Sequence, residues 1–263
     1  MVALSWIVLC LVSCDGCPAA NRDEPGAVDF RGVAATSGSG TEGPDPVCET
    51  TERLIAAMTD RFRQTEGRRP LRRDSRLTAA ARGFANFLAE TGNSGHTADG
   101  RSPAERVRLR GYAFCLIAEN LGAIECVREL DATELAAEFV DGWKHSPGHR
   151  ENLLDPDVRE TGVAVARRDQ GPTYYAVQLF GKPEELAIKF EVVNRSNTAL
   201  EYHCDGERLS LPVRSTRSHH QCRPCELHFK WPAGTQGPAS LRPRPGDRLV
   251  ITRNNSRFQI ERE

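Results

Sequence analysis

The sequence predicts an α+β domain followed by a small all-β module. Three observations carry this. Apolar residues recur at helical spacing through the first part of the chain, two strand-like runs follow them, and after Gly181-Lys182-Pro183 the pattern changes to short strands separated by polar turns.

The elements follow in order. Val2 to Val12 is nearly all apolar but too short to cross a hydrocarbon layer of about 30 Å as a helix, and it fits the h-region of a secretion signal. It ends in Leu11-Val12-Ser13-Cys14, which resembles a bacterial lipobox. Residues 1–14 are therefore expected to be a signal peptide with Cys14 as the lipidation site. Residues 15–46 are rich in Gly, Ala, Ser, Pro and acids, bury too little to offset chain entropy, and are expected to form a disordered tether.

In Glu49 to Glu66, Leu54, Ile55, Met58 and Phe62 fall on one helical face, and Gly67 stops the helix. Leu77 to Glu90 repeats the pattern with Leu77, Ala80, Ala81, Phe84, Phe87 and Leu88. Ala104 to Arg110 is a short helix closed by Gly111. Thr133 to His145 is a fourth, capped by Asp131 or Thr133 and ended at Pro147. Strands are expected at Gly162–Ala166 and Thr173–Phe180, with a turn at Gly171-Pro172. This places one domain at 47–183. A β-rich module at 184–263 has strands at Leu186–Val193, Ala199–Cys204, Cys225–Trp231, Asp247–Thr252 and Phe258–Glu261.

With 35 basic and 36 acidic side chains the net charge is -1, so nothing electrostatic points to a nucleic-acid partner. Nine cysteines suit a disulfide-forming compartment. Cys10 and Cys14 belong to the signal. Seven remain, and Cys17 in the tether is the candidate for the unpaired one. The expected location is outside the cytosol, as a membrane-anchored lipoprotein or an extracellular or periplasmic protein.

Several short stretches share an order and spacing: Asn93-Ser94-Gly95-His96 with Asp99-Gly100, Ala118-Glu119-Asn120-Leu121-Gly122, and Trp143 through Ser146-Pro147-Gly148-His149-Arg150 to Leu154. Thr161-Gly162-Val163-Ala164-Val165 and Gln178-Leu179-Phe180-Gly181 complete the set. It resembles the bacterial version of the CAP (SCP/PR-1-like) family. Departures are small: Gly95 stands before the histidine, Asp99 comes one residue early, and Ala118 and Ala164 replace glycines. The resemblance implies an α-β-α sandwich whose cleft is lined by His96, His149 and Glu119. The second cleft glutamate of many eukaryotic members is Ser146 here.

Two imidazoles and a carboxylate, His96, His149 and Glu119, could hold Zn²⁺ or another divalent metal, or could form a hydrogen-bonded network; the residues alone leave both open. Hydrolysis needs a base and an acid, and with Ser146 at the second acidic position no second carboxylate is evident. Ser146 beside Pro147 reads as a helix terminator rather than a nucleophile. Asn120 is expected to hold the loop beside Glu119, Trp143 to sit in the core and His145 at the surface. Cys115 and Cys126 bracket the Glu119 loop and are expected to pair, contributing about 3 kcal/mol. His219, His220, Cys222, Cys225 and His228 could read as a zinc knuckle, but a disulfide from Cys204 to Cys222 or Cys225 suits an exported chain better.

The expectation is an exported, lipid-anchored binding or interaction protein of the cell envelope. A membrane and a lipid or envelope ligand are its partners. The alternative is a metal-dependent, protease-like hydrolase at the His96–His149 cleft. A third reading gives the binding to the β module.

Overall fold

The computed structural model describes residues 45–126, 128–169 and 173–263. The expected signal, lipobox, Cys14, Cys17 and nearly all of the tether lie outside the described residues, as does the Gly171-Pro172 turn. No described helix is long and apolar enough to cross a membrane. The chain divides into two units. The second is built from Gly181–Glu263 together with the short segments Ala113–Leu116 and Asp157–Arg159.

The first unit is an α-β-α sandwich with five helices: α1 (Pro46–Thr65), α2 (Ser75–Thr91), α3 (Pro103–Leu109), α4 (Ala132–His145) and α5 (Pro147–Leu154). Each start has a local cause. Asp45 and Asp74 accept first-turn N–H groups, and Ser102 with Glu105 and Asp131 with Glu134 form capping boxes. Gly92 ends α2 in the left-handed region at φ 70°. The sheet order is β1 (Arg72–Arg73), β3 (Glu160–Arg167), β4 (Thr173–Pro183) and β2 (Phe114–Glu125).

Helices α1 and α2 pack on β3. Gly162 makes the second contact possible, because a Cβ there would lie 2.2 Å from the Thr78 backbone nitrogen. Any larger residue would push α2 off the sheet. Leu77, Phe84, Leu88, Leu135, Phe139, Trp143 and Phe180 are buried in the core.

In the first unit the short β1, α5 and β2 depart from the sequence expectation. Pro147 ends α4 but also opens α5, since proline at the first helical position gives up only an N–H that has no intrahelical partner. Glu119 lies on β2, a twelve-residue strand, not on a loop.

The second unit has two four-stranded sheets. One is β10 (Ser240–Leu241), β9 (Leu227–Lys230), β6 (Leu200–Cys204) and β7 (Glu207–Leu211). The other is β12 (Arg257–Arg262), β11 (Arg248–Asn254), β5 (Ile188–Asn194) and β8 (Thr216–Gln221). Strands alternate buried and open positions, most cleanly in β6 and β9. Phe190, Val192, Leu249 and Ile251 from one sheet meet Tyr202, Leu209, Leu227 and Phe229 from the other, which makes a sandwich core. Asp205-Gly206, both at positive φ, closes the two-residue hairpin between β6 and β7.

The cysteine pairings need correction. Cys115 is bonded to Cys222, not Cys126. Cys115 and Cys126 sit at opposite ends of β2, and at about 3.3 Å per residue an extended strand holds them roughly 30 Å or more apart, where a disulfide needs Cα atoms within about 7 Å. Cys126 is a buried thiol. Because Cys222 is taken, the alternative Cys204–Cys222 bond is excluded too.

Three residues of the zinc-knuckle set have other partners, Cys222 through its disulfide. The His219 ring stacks on Phe190 with its Nε2 2.6 Å from the Tyr202 hydroxyl, and His220 pairs with Glu184.

Candidate functional site

The cleft residues come from four elements of the first unit. His96 follows α2, Arg106 lies on α3, Glu119 and Asn120 on β2, and His149 on α5. All are buried, at 8%, 5%, 6%, 0% and 3% exposure respectively. Burial at that level demands partners for every charge.

Glu119 receives them on both oxygens. Arg106 Nη2 donates to Oε1 at 3.0 Å and to Oε2 at 2.7 Å, and His96 Nδ1 lies 2.8 Å from Oε1. Arg106 Nη1 also donates to the His96 and Arg101 carbonyls and to Asp99 Oδ1, and its guanidinium lies 3.6 Å from the Phe84 ring centroid. Arg106 therefore ties the turn after α2 to β2. It is the residue that sequence reasoning missed. In the sequence it is one of several arginines in a polar helix, and its only hint is its place beside Val107 in the buried Ala104–Val107 stripe.

Asn120 fixes the other wall. Its Nδ2 donates to the His149 carbonyl at 3.1 Å, and its Oδ1 accepts from Asn152 at 3.0 Å. Asn152 also donates to the Glu119 carbonyl at 3.2 Å, which binds α5 to β2. Ser146, buried at the junction of α4 and α5, makes no side-chain cap bond to the helix it opens. His145 is exposed and bonds the Asp141 carbonyl, while Trp143 is core and donates to the Leu121 carbonyl.

What is left over is chemically informative. His96 Nε2, both ring nitrogens of His149 and Arg106 Nε are buried without a hydrogen-bond partner, and of these only the imidazole nitrogens can act as ligand donors. His96 turns Nδ1 toward Glu119, which leaves its Nε2 as the unpartnered ring nitrogen. Burial, and then the neighbouring His96, push the His149 imidazole down to about 4, so this ring is neutral at pH 7. Glu119 is thus a partner that orients His96 rather than a third ligand. Two buried imidazoles with unpartnered nitrogens are donors of the kind that suit a borderline divalent cation such as Zn²⁺. A cavity of about 310 Å³ lined by Leu88, Asn93, Ser94, Leu121, Gly122 and Tyr175 lies in the same unit, and neither His96, Glu119 nor His149 is among its lining residues.

The His149 shift has a signed consequence. The unfolded chain takes up a proton near pH 6.5, whereas the folded ring resists it down to about 4. The stability that the neutral ring supports is complete above pH 6.5 and is lost as the pH falls toward 4, by at most about 3 kcal/mol. Urea unfolding of the metal-free protein at pH 7 and pH 4.5 measures it. His149→Gln is expected to show a shallower fall than the wild type, and equal slopes would contradict the assignment.

The first unit is thus an α-β-α domain whose buried polar site holds two imidazoles with unpartnered nitrogens and an arginine-clamped glutamate. The sequence profile of the cysteine-rich secretory protein family matches residues 56–180, so the first unit is a CAP domain of this family. Among relatives, the Bacillus subtilis protein YkwD, described as uncharacterized, is 24% identical over 164 residues; the match covers 62% of this chain and 59% of YkwD. Among solved structures, an outer surface protein from Borrelia burgdorferi is 25% identical with a TM-score of 0.44, covering 51% of this chain and 92% of its own. An extracellular protein containing an SCP domain from Bacillus anthracis is 22% identical with a TM-score of 0.43, covering 55% of this chain and 45% of its own.

Proposed function

We propose that this is an exported binding protein whose CAP domain takes its ligand through the imidazoles of His96 and His149, with a divalent cation as the simplest occupant. The single observation behind this reading is the set of buried, unpartnered nitrogens on those two rings. His96 and His149 would hold the metal, Glu119 and Arg106 would keep His96 in the required tautomer, and Asn120 would keep α5 in place. A bound cation would supply a Lewis-acid centre for an oxygen or nitrogen donor of the ligand.

The metal-dependent hydrolase is the weaker reading. Both Glu119 oxygens are engaged by Arg106 and His96, so the carboxylate best placed as a base is not free to take a proton from water.

Zn²⁺ titration of the full chain by calorimetry tests the proposal. One equivalent is expected to bind the wild type, with affinity lowered at least about 100-fold in His96→Ala and in His149→Ala. Equal binding, or none, in all three proteins would sink it.

The finer part of the proposal is a lipid anchor at Cys14, which would hold the protein at a membrane surface. Cys14→Ser is expected to move the protein from the membrane fraction to the soluble fraction of the expressing cell. An unchanged distribution would remove the anchor from the proposal.

A further inference from the structure

Cys204 is the last residue of β6, one step beyond the His203–His228 cross-strand pair, and Cys225 lies two residues ahead of β9. Both are buried. Their sulfur atoms lie within 4.8 Å of one another. Cys222-Arg223-Pro224-Cys225 has the Cys-x-x-Cys spacing of an internal pair. That bond is excluded because Cys222 is already joined to Cys115, which leaves Cys204 as the sulfur that Cys225 faces.

We propose that Cys204 and Cys225 form a second disulfide of the β module, made in the same compartment that makes Cys115–Cys222. The step is thiol–disulfide exchange with an external disulfide donor such as glutathione disulfide. One cysteine gives up its proton and attacks the donor, forming a mixed disulfide and releasing one donor thiolate. The other cysteine loses its proton and attacks the mixed disulfide, releasing the second. The protein pair is oxidised by two electrons, the donor disulfide is reduced by two, and the two protons leave with the donor thiols.

Burial raises both thiols above their usual range, Cys204 to about 12, and thiolate is the attacking species. The exchange therefore belongs to the stage before the sandwich core closes. The competing use of this corner is a metal site, since an Asp205 carboxylate oxygen lies within the same 4.8 Å. Two facts favour the disulfide. Asp205 is an exposed turn residue that raises both thiol pKa values, and the chain is already oxidised at Cys115–Cys222.

Peptide mapping of the wild-type full chain tests the proposal. The protein is produced in an oxidising compartment and equilibrated with excess glutathione disulfide. It is then unfolded in urea with N-ethylmaleimide and digested with trypsin without reduction. The expected product is one three-peptide species of residues 111–128, 196–208 and 218–230, with neither Cys204 nor Cys225 alkylated. In Cys204→Ala the species is expected to shrink to 111–128 with 218–230, now alkylated at Cys225. Recovery of wild-type 196–208 as a separate alkylated peptide would overturn the proposal. If the native mass then also shows one zinc, absent in Cys204→Ala, the corner is a metal site instead.

Discussion

Arg106→Leu is expected to destabilise the first unit by about 4 kcal/mol, the largest single-residue effect in the cleft. The reason is what it leaves behind. Glu119 has a side chain only 1% exposed and would lose the guanidinium that holds both its oxygens, and breaking one side of a buried ion pair typically costs about 3–5 kcal/mol. Removing both charges is different, because no uncompensated ion then remains. The double variant Arg106→Leu/Glu119→Leu is expected to recover a large part of the loss. Hydrogen exchange of peptides within residues 75–125 reads both. A single variant costing under about 1 kcal/mol would mean that water reaches Glu119 and that the clamp is not the source of cleft order.

Cys115→Ser is expected to cost the second unit about 4 kcal/mol. The bond joins residues 107 apart, and in the chain-entropy account a loop of that length removes far more freedom from the unfolded chain than a short one. Cys222→Ser should have the same effect, and the double variant should add little, since either single change already opens the loop. Hydrogen exchange in β5, β8 and β11 measures this. A loss under about 1 kcal/mol would show that the unfolded chain keeps these segments together without the bond.

The helices with strong apolar stripes were legible because their caps, periodicity and stop signals agree. α1, α2 and α4 lie within a few residues of the stretches that the pattern indicates. α5 was hidden because Pro147-Gly148 reads as a breaker and Leu153 is its only buried large apolar residue. β2 was hidden for another reason. Ala118, Glu119, Asn120 and Gly122 are poor strand formers, and its burial does not alternate, so its place in the sheet is decided by its neighbours rather than by its own composition. β8, Thr-Arg-Ser-His-His-Gln, is a polar edge strand with no apolar alternation to reveal it.

The cleft was partly legible. His96, Glu119 and His149 stand out as motif residues, but no motif indicated that an arginine on another helix engages both oxygens of the carboxylate. Spacing along the chain also misled the disulfide assignment, since it favours near partners and the sheet separates Cys115 from Cys126.

A chain is synthesised from its N-terminus, so Cys115 meets Cys126, eleven residues on, long before Cys222 exists. While β2 is still unpaired and supple, the near thiol is the faster partner. The native bond is the slower, distant one, so maturation must either keep Cys115 reduced until the module has emerged or undo an early mispairing by exchange. In a host without a disulfide isomerase, the yield of correctly bonded protein is therefore set by the order in which the thiols appear rather than by the stability of the finished fold.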